Sequence, residues 1–142
     1  MDFIFIFTLL VMFSMVNANG YYQKCTQSTS RLDLDMIHID FYEPKPEDLT
    51  ISFHTYWDLQ DNYTTWNTVL IYMISLYDFD NPWQSFSVFQ DFTPGTNIID
   101  RNDDVGIIYG LPFLNYTIRV LLADDHYNFA CTLFDRKMGF RS

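Results

Sequence analysis

Metal ligands and catalytic groups are the first residues to look for, and the chain offers few. His38, His54 and His126 stand far apart and share no ligand spacing. No H-E-x-x-H, CxxC, Walker loop, GxGxxG or G-x-S-x-G occurs. Asp100, Asn102 and Asp104 fall at the first, third and fifth positions of a calcium loop. Val105 then stands where that loop turns on Gly, and Leu111 where it closes on Glu. The stretch reads instead as a solvated acidic turn. Asp78-Phe79-Asp80-Asn81 fails in the same way at Pro82 and Trp83. The expectation is a non-enzymatic protein with no catalytic residues, no metal and no cofactor.

The chemistry that remains is covalent tailoring. The two cysteines, Cys25 and Cys131, read as one disulfide in an exported chain. A loop of that length stabilises by up to about 4.7 kcal/mol in the chain-entropy treatment. Asn62-Tyr63-Thr64 and Asn115-Tyr116-Thr117 fit the N-glycosylation sequon, which makes Asn62 and Asn115 the expected glycan sites.

Export follows from the N-terminus. FIFIFTLLVMFSMV, residues 3–16, carries no charge, and Val16-Asn17-Ala18 supplies small residues for cleavage after Ala18. That run is shorter than the roughly 20 residues needed to span a bilayer. Residues 1–18 are therefore expected to be a signal peptide and 19–142 one domain. The protein is expected to be secreted, with an endosomal, lysosomal or vacuolar lumen as a further destination. Cleavage removes one acid, Asp2, from 18 acids against 8 bases, so the net charge moves from −10 to −9. That balance argues against nucleic acid and against an anionic membrane surface as electrostatic partners.

The elements that position these groups read as short strands. Turn signals recur at 44–48, 58–62, 78–82, 94–95, 100–104, 110–112 and 124–125, with runs rich in Ile, Val, Phe, Tyr, Trp and Thr between them. Several runs alternate. Ile37, Ile39 and Phe41 share one face, opposite His38 and Asp40. Leu49, Ile51, Phe53 and Trp57 share another, opposite Thr50, Ser52, His54 and Tyr56. Leu114, Tyr116, Ile118, Val120 and Leu122 align against Asn115, Thr117 and Arg119. Asn115 thus falls on a solvent face. Residues 68–77 are apolar on both faces, and their inward side is left open. An antiparallel β-sandwich or barrel is the expected class. Of the 27 aromatics, four Phe leave with the signal peptide, so 23 serve either a filled core or the walls of an apolar pocket.

The order of features resembles a known family. Cys25 follows the signal peptide, FYEPKPEDLTISF carries a proline-marked turn into a strand, and GLPFLNYTIRV leads through Ala123-Asp124-Asp125 to FACTLF. This is similar to the MD-2-related lipid-recognition family, which includes sterol carriers of the Niemann-Pick C2 type and phosphatidylglycerol/phosphatidylinositol transfer proteins. The likeness spans residues 22–135. Further internal disulfides usual in that family are absent from this chain. The resemblance implies an all-β, immunoglobulin-like antiparallel β-sandwich of two sheets with an apolar cavity between them, and a Cys25–Cys131 pair. It implies a lipid ligand (a sterol, fatty acid or phospholipid) and a transfer function. Ile51, Phe53, Leu114, Tyr116, Ile118 and Val120 would wall the cavity, with Phe86 and Phe92 at its rim. A monomer making transient membrane or receptor contacts is expected. The competing expectation is an adhesion or receptor-interaction module with a filled core.

Overall fold

The computed structural model describes residues 22–24, 37–76, 84–125 and 128–136. The expected signal peptide, Cys25, His126 and the acidic stretch 78–82 lie outside the described residues. Eight strands follow one another: β1 (Tyr22–Lys24), β2 (Ile37–Phe41), β3 (Thr50–Asp58), β4 (Val69–Leu76), β5 (Gln84–Phe89), β6 (Ile98–Gly106), β7 (Tyr116–Ala123) and β8 (Asn128–Arg136). They form a five-stranded sheet in the order β1-β8-β7-β4-β5 and a three-stranded sheet in the order β2-β3-β6. All six pairings are antiparallel. With β1 set aside, the remaining strands divide in the crossed-over manner of immunoglobulin-like sandwiches.

Period-two patterning builds the two layers. On β3, Ile51, Phe53, Thr55 and Trp57 are buried, and the alternate residues are exposed or half-buried. On β7 the buried set is Tyr116, Ile118, Val120 and Leu122, and on β4 it is Leu70, Tyr72 and Ile74. The last settles the inward side of the run that is apolar on both faces. Ile71 and Met73 point outward, paired with Val88 and Phe86 of β5. The layers meet through rings. Phe53 of β3 lies 4.7 Å from Tyr72 of β4, and Phe41 of β2 meets Phe134 of β8 edge-on at 5.3 Å, centroid to centroid.

Several expectations need correction. Leu49 is 61% exposed, because β3 begins after it. Leu114 precedes β7 and is only half-buried, held by the 3-10 turn Leu111–Phe113 that starts from Gly110 at φ 77°. Thr117, read as solvent-facing, is buried between Ser75 of β4 and Asp135 of β8, to which its hydroxyl donates at 3.4 Å. Asp100–Asp104 is no turn: it lies inside β6, opposite Tyr56 to Ser52 of β3. The Asp-rich composition suggested a turn, and strand pairing overrides it.

Candidate functional site

The unequal sheets leave one flank of the sandwich open, between edge strands β5 and β6. The inward residues of β4 and β7 are fully buried, while Ser85, Ser87 and Phe89 on the inner face of β5 are only half-buried. The wider sheet overhangs the narrower one there. The loop 90–97 runs from β5 to β6 across this flank, turning at Gly95, whose φ of 82° suits glycine.

A charged cluster sits on that flank. β6 places Ile99, Arg101, Asp103 and Val105 on its inner face, so two ionised groups face the interior between two aliphatic residues. The Arg101 guanidinium donates to both oxygens of Asp103 at 2.6–3.0 Å and to Asp91 at 2.9 Å. It also stacks on Phe89 and Phe92, 5.0 and 5.1 Å from the ring centroids. Asp103 in turn accepts from the Tyr72 hydroxyl at 2.9 Å, and that hydroxyl meets Thr55 at 2.8 Å. Burial pushes the Tyr72 phenol well above its ordinary range, helped by the neighbouring Asp103 charge against the Thr55 bond. Burial works against the Arg101 charge, but its hydrogen bonds to Asp103 and Asp91, with their charges, outweigh it and leave its pKa raised. The bond from Arg101 holds the Asp91 carboxyl below the usual range.

Outside the cluster lies an open cleft of about 380 Å³. Phe92, Thr93, Thr96, Ile98 and Asn102 line it, with Arg101 at one side. The carboxylates of Asp91 and Asp100 line it too, so one aromatic ring, two aliphatic side chains, hydroxyls and charges of both signs make a mixed, mainly polar mouth.

A second charged group closes another part of the sandwich. Tyr116 donates to Glu43 at 2.7 Å, and Glu43 also accepts from Arg136, whose guanidinium lies 5.0 Å from the Phe41 ring centroid. The outer face of the three-stranded sheet is polar. His54 bridges Asp100 at 2.8 Å and Asp40 at 3.8 Å, and Ser52 donates to Asp104. Among the described residues, no group of three His, Cys, Asp or Glu side chains is placed to hold a metal.

The residues expected to wall a cavity have different fates. Ile51, Phe53, Tyr116, Ile118 and Val120 all face the interior with at most 1% of their surface exposed. A water-sized gap against these walls would leave them measurable surface, so the space between the sheets is filled at these positions. Phe86 is not on the rim: it points out of the other face of the five-stranded sheet, 55% exposed, beside Val88. Phe92 does reach the core, because β5 ends at Phe89 and the loop breaks the alternation. Cys131 is disulfide-bonded and buried; its expected partner Cys25 lies outside the described residues. Lys24 pairs with Thr132, next to Cys131, so the first strand lies against the last. Asn115 is exposed. Asn62 is half-buried and donates to the Leu59 carbonyl at 3.1 Å.

Sequence reading missed Arg101, Asp103, Asp91 and Phe89. A usable signal was there: charged residues alternating in phase with Ile99 and Val105 mark ions on an inward face. No family model, curated protein or solved structure matches the chain.

Proposed function

We propose that this is an exported, non-enzymatic lipid carrier that loads through the β5–β6 flank. The observation that carries the reading is the half-covered inner face of β5, where Phe89 and Phe92 are partly exposed while packed against the core, with the cleft beside Phe92. Ser85 and Ser87, the other inward residues of β5, are small and half-buried. An apolar chain entering there gains about 0.8 kcal/mol for each methylene taken out of water. It has to displace the Arg101 guanidinium from the two rings, not part the Phe53–Tyr72 contact. The bound tail then lies along the overhang, and its polar end stays in the cleft among Thr93, Thr96 and Asn102.

Native mass spectrometry of the secreted protein, followed by solvent extraction, tests the reading. A co-purifying hydrophobic adduct, or uptake of fluorescent fatty acid or sterol, is expected. Ser87→Trp fills the overhang and should block uptake while leaving the fold intact.

The filled core favours a second reading, an adhesion or receptor-interaction module. A protein that emerges empty and takes up neither probe supports it. Exposed Trp66, Tyr109 and Phe86 are then the anchors to test by alanine substitution in a binding assay.

A further inference from the structure

Among the described residues, four strands form the edges of the two sheets, and three of them carry charge. β1 holds Lys24, β2 holds Asp40, and β6 holds Asp100, Arg101, Asp103 and Asp104. Charged edges resist pairing with another chain. β5, Gln-Ser-Phe-Ser-Val-Phe, has no charge, no proline and no bulge, and among the described residues β4 is the one strand it pairs with. Its outward side chains Phe86 and Val88 are 55% and 54% exposed. They continue into Met73 and Ile71 of β4 and Arg119 and Leu121 of β7, so the face beside this edge is mostly apolar.

We propose that β5 is a self-association edge that pairs antiparallel with β5 of a second copy, joining two five-stranded sheets into one. This replaces the expectation of a monomer. A chain this acidic repels its own copy, and β5 is the edge where strands can approach without bringing like charges together. A two-fold axis at Ser87 sets Phe86 of each copy across from Val88 of the other. Aromatic and β-branched residues make favourable cross-strand pairs. Ser85 then faces Phe89 on the inner side, and the two Ser87 residues face each other. The contact is isologous and consumes the uncharged edge of both copies, so assembly stops at two.

Sedimentation velocity on the secreted protein, from about 1 µM to about 1 mM, provides the test. A concentration-dependent monomer–dimer equilibrium is expected. Val88→Lys and Phe86→Lys, both at exposed positions, should each weaken it about tenfold or more by setting like charges near one another. Their thermal melts at low concentration should match wild type. Ser87→Cys should form a covalent dimer under oxidising conditions. A protein that stays monomeric throughout, a dimer indifferent to both lysine variants, or growth beyond two copies overturns the proposal.

Discussion

Arg101 grips Asp103, two residues along the same strand, with three hydrogen bonds of 2.6 to 3.0 Å. Both side chains face the interior, and the Asp103 side chain is 2% exposed. An ion pair on an apolar face is retained at a desolvation cost, so breaking it from one side is worse than replacing it whole. Asp103→Ala should destabilise by about 3 kcal/mol, the low end for a buried pair because Arg101 keeps some contact with water. The double variant Arg101→Met/Asp103→Leu should cost less than that single change. Urea denaturation of both proteins checks the order, and a double variant that is the worse of the two refutes it.

Tyr72 ties three strands together through one hydroxyl, from Thr55 on β3 to Asp103 on β6. Tyr72→Phe keeps the ring against Phe53 and removes both bonds, which should cost about 1–3 kcal/mol. Burial holds its phenol protonated far above the ordinary range. Alkaline titration followed by tyrosinate absorbance should therefore show this tyrosine silent until the protein unfolds. Loss of its signal from the titration curve in Tyr72→Phe below that point would contradict the assignment.

Asp91 is the outer of the two Arg101 partners and is 73% exposed. Its folded pKa lies below the ordinary carboxylate value of about 3.9. The interaction is therefore fully present above that pH and fades as pH falls through the lower, folded value. The stability difference between wild type and Asp91→Asn should stay constant from pH 7 to about pH 4 and shrink below it. Mild acidity then leaves the Arg101–Asp91 bond in place. A difference that already shrinks near pH 6 would show that another group controls it.

Ile118 and Phe86 lie on opposite faces of the five-stranded sheet, one fully buried and the other half open to solvent. Ile118→Asp puts an unpartnered carboxylate in the core and should abolish folding. Phe86→Asp should change stability by no more than about 0.5 kcal/mol, as surface substitutions do. Circular dichroism of the two variants side by side is sufficient; a folded Ile118→Asp would mean the faces are reversed.

Much of the architecture was legible because burial on one face of a strand imposes a period of two. Ile39, Phe41, Ile51, Phe53, Trp57, Tyr116, Ile118, Val120 and Leu122 all announce their inward side that way. Where the period is masked, the sequence misleads. In β5, Phe86 and Val88 face outward while Ser85 and Ser87 face inward beside Phe89. The register with β4 sets this, since Tyr72 must point into the core and its partner Ser87 follows it. The candidate site was hidden for a related reason. Asp100–Asp104 has the composition of a turn, and only its pairing with β3 makes it a strand with a buried ion pair.

By itself the sequence determined the class of fold, the two layers and most of the core, because side-chain alternation and turn residues act locally along the chain. It also fixed that a single disulfide was available, since there are two cysteines to make it. The tertiary structure decided which edge of each sheet stays free, how far the wider sheet overhangs the narrower, and that Arg101 of β6 meets Asp91 and two phenylalanines from β5 and its loop. Those outcomes depend on strand order and on contacts between residues distant in sequence, and no local pattern encodes them.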